Sequence, residues 1–432
     1  MFFERMGVEP AVSFVGKRNG NRSPRPMQLT PRQFVMQFAH MMQQELFPVL
    51  ESVVGPLSKE LQLLSSVMAL VPLERVVSAG RAATGRPAKD RGAIATAFVA
   101  KAIFKLPTTR ALLSRLKVDQ ALREFCGWQS VAGVPHESKM SRAFAKFADW
   151  EVPQQLHEDV VVQALQERIV GHIARDSTAL PARERFPVTA EHKKQRQQRK
   201  EEKRKQKELT QKALLHKTAQ PRKKRVRKGS FDKKKASERG TRIQRQRHQT
   251  LAQMLSELPT QCDIGTKINS QGHPNSWCGY KAHLDVADGQ IPVSVILTSA
   301  SVHDSQVAIP LMSMSSQRVT YLYELSDSAY AAKPIDLHSR QKGHIPITAL
   351  HGRRASKKAT ALFPVGTLPQ LTPAQEERFK VRTMVERVNA RLKDEFGGNS
   401  MRVRGAKKIM AHLMFGILAL TVDQWLRLVE KV

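Results

Sequence analysis

Residues 279–298, Gly-Tyr-Lys-Ala-His-Leu-Asp-Val-Ala-Asp-Gly-Gln-Ile-Pro-Val-Ser-Val-Ile-Leu-Thr, decide the fold class. Two runs with strand character flank Asp288-Gly289. A tight turn between paired strands needs positive φ, which Gly supplies at no steric cost. The stretch therefore predicts a β-hairpin. Upstream, Arg168–Thr178 (RIVGHIARDST) is a β-branched run that ends on Asp176. Downstream, His303–Met314 reads as a helix capped near its start by Asp304, because an apolar-periodic stretch follows at once. Val319–Leu325 reads as a strand ending at Ser326-Asp327-Ser328-Ala329-Tyr330, and Ile345–Leu350 as a further short strand. Pro373 then opens a long helix that carries Glu386. Strand, hairpin, helix, strand, strand and helix in that order make a mixed α/β fold with an antiparallel edge.

The flanking chain is different in kind. Residues 1–28 have no clear period and read as a disordered arm. From Thr30 to Phe147 the pattern is helical. Thr30 caps a helix that begins with Pro31, Arg91–Phe104 and Thr108–Phe125 alternate apolar stripes with Lys and Arg, and His136 marks a further helix entry. An all-helical, basic N-terminal domain over 29–150 is the simplest account, followed by an α/β domain over 165–425.

A basic insertion at 185–260 interrupts that second domain. Within it, residues 191–248 hold 24 Lys plus Arg against 6 Asp plus Glu. That is more than half of the formal net charge of +33 carried by the 432-residue chain. With almost no apolar residues the block predicts an extended arm or solvated helix rather than a core. Such an excess of cations on a foldable chain points to nucleic acid, since neutralising phosphates releases condensed counterions.

A membrane surface is the other polyanion, and the sequence offers little for it. The apolar run Ile409–Val422 is interrupted by His412 and is short for a bilayer. Ala93–Phe104 carries Lys101 in its middle, and the N-terminus lacks the order of a signal peptide. Three cysteines, Cys126, Cys262 and Cys278, make no disulfide framework in a chain this long and fit a reducing cytoplasm. Cys262, His273, Cys278 and His283 match no common zinc spacing.

Candidate chemistry lies in three carboxylates. Asp176 and Asp327 each follow a β-branched run beside small hydroxylated residues, and strand ends are where open α/β sheets place ligand chemistry. Glu386 lies 59 positions after Asp327, which itself lies 151 after Asp176. Taken singly, each Asp would read as a turn or cap. Together the three suit a pair of hard divalent cations that activate an oxygen nucleophile and stabilise the leaving oxygen at phosphorus. Around Glu386 runs Phe379-x2-Arg382-x3-Glu386-x6-Lys393. On one helix these spacings put a carboxylate, two cations and an aromatic on one face. The plainer reading is an exposed helix with an i,i+4 salt bridge. Trp277 reads as core packing.

The ordered set Asp176-Ser-Thr, Gly279-Tyr-Lys-Ala-His, Asp327-Ser-Ala-Tyr and Phe379-x2-Arg-x3-Glu-Arg-Val-Asn resembles the insertion-sequence DDE transposases. Within them it is similar to the bacterial group with a Tyr-x2-Arg-x3-Glu-x6-Lys signature. Phe125-Cys-Gly and Glu137-Ser-Lys-Met-Ser-Arg are similar to that group's helical N-terminal domain, so the resemblance covers roughly residues 90–425. Phe379 stands where the group has Tyr, which keeps packing and loses a hydroxyl.

The resemblance implies a ribonuclease-H-like mixed sheet flanked by helices, with cutting and joining of double-stranded DNA at the element's terminal inverted repeats and at target DNA. It implies Mg2+, for which Mn2+ can substitute, held by Asp176, Asp327 and Glu386. DNA contacts would come from Arg382, Lys393, Phe379 and Lys281. A homodimer on DNA, located in the cytoplasm with the nucleoid and not on a membrane, completes the expectation. Two other classes share the features: a non-catalytic DNA-binding relative, inactive or domesticated, and a metal-dependent structure-specific nuclease.

Overall fold

A computed structural model of the chain describes residues 40–71, 90–165, 169–184, 241–268, 271–348 and 371–430, with a few single positions between them. The expected arm 1–28, the helix start at Thr30-Pro31 and most of the basic block lie outside the described residues.

The N-terminal part is helical, as the sequence predicts. A π-helical turn, Met42–Leu46, leads into α1 (Phe47–Val54) and α2 (Lys59–Leu70). Then follow α3 (Arg91–Ile103), α4 (Thr109–Val118), α5 (Gln120–Phe125), α6 (Glu137–Asp149) and α7 (Val152–Leu165). The stretch 108–125 is two helices because Asp119 stops one and starts the next. Its Oδ1 accepts from Leu122 N at 2.9 Å while Oδ2 takes Arg115 Nε at 3.0 Å.

The α/β part begins with β1 (Ile169–Pro181). Two short helices, α8 (Arg242–Gln246) and α9 (Leu251–Ser256), precede β2 (Asp263–Ile268) and the long β3 (Pro274–Ala287). Then come β4 (Ile291–Ser299), α10 (Ala308–Arg318), β5 (Thr320–Ser326), α11 (Lys333–Gln341) and β6 (Ile345–Thr348). The described chain ends with α12 (Pro373–Lys380), α13 (Thr383–Asp394) and the 25-residue α14 (Ala406–Glu430).

The six strands form one sheet, ordered β2-β3-β1-β5-β6, with β4 also on β3. β3 is antiparallel to β1, β2 and β4, whereas β1, β5 and β6 run parallel. The hairpin at 279–298 is present. Its turn places positive φ at both Gly289 (78°) and Gln290 (63°), and Asp288 anchors it by accepting from His172 N at 2.9 Å. This is a mixed, ribonuclease-H-like sheet with helices on both faces.

The last part of the basic insertion departs from expectation, because residues 241–258 are folded. Thr241 and Thr250 each build a capping box with the Gln three residues on, which gives α8 and α9 defined starts. Gln246 donates to the Gln306 carbonyl at 2.8 Å, and Met254 is buried with Ile309, Met312, Tyr330 and Ile335. A charge count over a long window hides such short apolar anchors.

One continuous core joins the helical part to the sheet, and α14 runs through it. Phe415 on α14 packs with Phe98, Phe144 and Phe147 at ring-centroid distances of 5.9–6.4 Å. The helix is long and apolar enough to cross a bilayer, so the length expected from Ile409–Val422 falls short. What marks it as core is that most of it is buried in protein. Lys101 and His412, the two polar interruptions of apolar runs, are partners there. Lys101 Nζ donates to His412 Nδ1 at 3.4 Å, and His412 Nε2 donates to the Gly397 carbonyl at 3.1 Å. Burial pulls Lys101 down to about 8, and burial with Lys101 beside it pulls His412 down to about 3.

The lysine sets a pH signature. Its folded value lies below the ordinary 10.5, so the unfolded chain holds the extra proton between pH 8 and 10.5, and stability rises across that window. The rise should be on the order of 3 kcal/mol. Lys101→Met is expected to flatten it, as read from denaturant midpoints between pH 7 and 10.5.

Candidate active site

The site grows out of the register of β1 against β5. The parallel pairing ends at Arg175 opposite Ser326, so Asp176 and Asp327 are the next residue on each strand. Asp176 does not end its strand, as expected from the β-branched run. β1 continues to Pro181 because β3 pairs with it as far as Gly279, and only the parallel partner stops. Asp327 does follow its strand. Its Oδ1 accepts from Ala329 N at 2.9 Å and caps the 3-10 turn Ser328–Tyr330.

Beneath this pair lies a buried ionic network. Arg175 donates through Nε and Nη2 to both oxygens of Asp285 on β3, each at 2.8 Å, and its Nη2 lies 3.6 Å from Glu324 on β5. Ser315 Oγ of α10 donates to Asp285 at 2.7 Å and Tyr321 Oη to Glu324 at 2.6 Å. Burial works against the guanidinium, but the two carboxylates outweigh it and hold its pKa above the ordinary range. Successive residues of a strand face opposite sides. Arg175 therefore points at α10, and Asp176 points at α13.

α13 meets Asp176 through Asn389, whose Nδ2 donates to Asp176 Oδ2 at 3.2 Å. Glu386 lies three residues earlier on α13, half exposed, with Arg382 Nη2 at 2.5 Å from its Oε1. The Arg382 guanidinium sits 5.6 Å from the Phe379 ring centroid. The four signature residues were expected on one helix. They are not, because α12 stops at Lys380 and Arg382 caps α13. Across the junction Val381, Arg382, Met384 and Val385 all bond three residues back rather than four. The backbone stays right-handed, so Phe379, Arg382 and Glu386 remain neighbours.

Electrostatics links the remaining groups. Burial, with Asp327 adding to it, pushes the Asp176 carboxyl up to about 6, against the Ser177 backbone hydrogen bond and the cations of Arg382 and Lys267. Lys393 is half-buried, and burial and Lys267 lower its pKa while Asp394 and Asp176 oppose them. Asp176 and Asp327 are thus brought together, with Arg382, Lys393 and Lys267 around them. Glu386 is on the adjoining helix but held by Arg382. Among the described residues no group of three or more acidic, His or Cys side chains is gathered as a metal site.

Lys281, expected on the DNA side, has internal partners instead: the Val302 carbonyl and Asp304 Oδ1, each at 2.9 Å. Nor does Asp304 cap the following turn, since His303 Nδ1 accepts from Ser305 N. Asp304 is a further carboxylate near the site, held below the usual range despite burial by His283, Lys281 and Ser177.

Sequence reasoning missed Asn389, Lys267 and the Arg175 network. Asn389 was within reach, at i+3 from Glu386 on the same helical face. Lys267 and the network depend on strand neighbours distant in sequence.

The fold is a mixed α/β sheet with two carboxylates side by side just past the last parallel pair of its central strands, β1 and β5. The comparison with known families makes it particular. Residues 171–422 match the family "Transposase DDE domain" and residues 50–146 match "Transposase domain (DUF772)". The chain belongs to the DDE transposases, enzymes of DNA transposition. No curated protein and no solved structure matches it.

Removing the guanidinium beneath the site would leave Asp285 and Glu324 as buried, uncompensated charges. Arg175→Met is expected to cost about 3–5 kcal/mol of stability. Urea unfolding checks it, and a loss below 1 kcal/mol would count against the network.

Proposed function

We propose that this transposase binds the ends of its own mobile element and catalyses DNA strand cleavage and strand transfer there, with Asp176, Asp327 and Glu386 as its catalytic carboxylates. The observation that carries the reading is the consecutive placement of Asp176 and Asp327 past the Arg175–Ser326 pairing, with the Glu386 helix hydrogen-bonded onto Asp176.

The donors fit a hard divalent cation. They are carboxylate oxygens, and burial with Asp327 alongside raises the proton affinity of Asp176 despite Arg382 and Lys267, a cost that a divalent cation between the two carboxylates would offset. Bound there, Mg2+ or Mn2+ supplies activation of the attacking oxygen and stabilisation of the leaving one. The protein's own part is to position. Arg382 neutralises Glu386 while the site waits for substrate. When its guanidinium passes to a backbone phosphate, Glu386 is free to turn toward the two aspartates. Lys393 supplies a second phosphate contact, and the ring of Phe379 supports Arg382. The surplus of cations in 191–240 adds affinity for any DNA, at the element's terminal inverted repeats and at the target alike. Two copies of the chain, one at each element end, would act as a homodimer.

Asp176→Ala, Asp327→Ala or Glu386→Ala should each abolish Mg2+-dependent nicking of a duplex taken from the DNA flanking the reading frame. Binding of that duplex should stay within about twofold, a change under 0.5 kcal/mol. Equal loss of binding in a mobility-shift assay would make the residue structural and sink its assignment as a ligand.

Arg382→Ala separates the catalytic helix from an ordinary exposed one. An exposed salt bridge contributes at most about 1 kcal/mol to folding. The variant should melt within a few degrees of the parent and cut at least tenfold more slowly, on the order of 1.4 kcal/mol or more in barrier. An unchanged rate would return the pair to surface decoration.

A further inference from the structure

Asn389 is a neutral side chain in a strongly charged setting. It lies on α13 one turn after Glu386, is 93% buried, and spends Nδ2 on Asp176 Oδ2 at 3.2 Å. Its own Oδ1 is buried and has no partner among the described residues. The opposite orientation of the amide would press two acceptors together, so Nδ2 belongs on the carboxylate side. A buried acceptor without a donor costs folding free energy and calls for an explanation.

Charge explains the choice of residue type. A lysine or arginine at this position would hold Asp176 as firmly but would cancel its charge and repel a cation. An amide holds the carboxylate and leaves its charge intact. By engaging Oδ2, alongside the Ser177 backbone hydrogen bond, Asn389 also fixes the rotation of the carboxylate. Outer hydrogen bonds of this kind orient metal-binding side chains and tune their affinity.

We propose that Asn389 is the positioning residue of this site: Nδ2 orients Asp176, and Oδ1 is kept for a hydrogen bond from a water in the hydration shell of a divalent cation held there. The inference rests on the function proposed above, and on a hydrogen bond between α13 and β1 that the family match does not assign.

The test uses the full chain and Mn2+ as probe. Mn2+ binding without DNA is followed by electron paramagnetic resonance, and single-turnover nicking of the flanking-DNA duplex is followed as Mn2+ is varied. For Asn389→Ala, Mn2+ affinity is expected to fall tenfold or more. Nicking should be slow at low Mn2+ and largely restored at high Mn2+, with DNA affinity unchanged within twofold. Asn389→Asp keeps the shape where alanine does not fold, and replaces the donor with a competing carboxylate. It is expected to hold Mn2+ at least as tightly as the parent and still nick tenfold more slowly at saturating Mn2+. Parent-like Mn2+ affinity in Asn389→Ala, or parent-like nicking in Asn389→Asp, overturns the proposal while the function stands, provided Asp176→Ala has lost both Mn2+ and nicking. If Asp176→Ala keeps both, the function and this inference fall together.

Discussion

The two-pronged hydrogen bond from Arg175 to Asp285 is the constraint on which the site depends. Burying a guanidinium and two carboxylates costs several kcal/mol per ion, and only good geometry with further donors recovers it. Here Asp285 takes both prongs and a hydroxyl from Ser315, while Glu324 takes a hydroxyl from Tyr321. The three ionised groups belong to β1, β3 and β5, so the network can close only when these strands are in one mutual register. A slip of one residue would turn Arg175 to the wrong face and leave the charges unpaired. The same register places Asp176 beside Asp327 on the opposite face. A specificity device on one side of the sheet thereby fixes the placement of two carboxylates on the other.

The sheet therefore carries two sets of carboxylates with opposite fates. Asp285 and Glu324 are served by an internal cation and by hydroxyl donors. Asp176 and Asp327 sit side by side with no bidentate partner among the described residues. Of the cations that act on Asp176, Arg382 is committed to Glu386, and Lys267 and Lys393 repel one another. The fold thus neutralises one buried acidic group and leaves the neighbouring one short of cation, the contrast on which the proposed metal site rests. That difference in environment, more than the presence of acidic residues, is what favours this face for the proposed chemistry.

Much of this was legible in the sequence. The hairpin at 279–298 announced itself by Asp-Gly between two strand-like runs, and the positive φ at Gly289 and Gln290 is what those residues allow. Asp327 was legible because its strand ends where the β-branched run ends. Asp176 misled because strand length is set by the longest partner, and β3 extends the pairing to Pro181. The break at Val381-Arg382 was invisible, since neither residue opposes a helix and the change is in hydrogen-bond step, not in dihedral region. Lys101 and His412 were read as interruptions of apolar runs, and both are buried in the protein core. Their pairing, 311 positions apart, could not be read from either one. Arg175, Asp285 and Glu324 look like ordinary strand-borne charges until the strands are laid side by side.

The pairing of Lys101 with His412 also explains how the helical part bears on the site. His412 is neutral, because burial beside an ammonium strips its proton, so it can accept from Lys101 on one nitrogen and donate to the Gly397 carbonyl with the other. Gly397 lies three residues past the end of α13, the helix that carries Glu386 and Asn389. Beside it, Gly416 of α14 lies so close to the Phe396 carbonyl that a side chain there would collide with it. The end of α13 is thus clamped to α14 by a hydrogen bond and by a backbone approach that only glycine permits. α14 is in turn held by the Phe98, Phe144 and Phe147 cluster of the N-terminal helices. The helical part, besides any contact of its own with DNA, is a wall against which α13 is set. Displacing those aromatic rings would move Glu386 and Asn389 relative to Asp176 without touching any of the three.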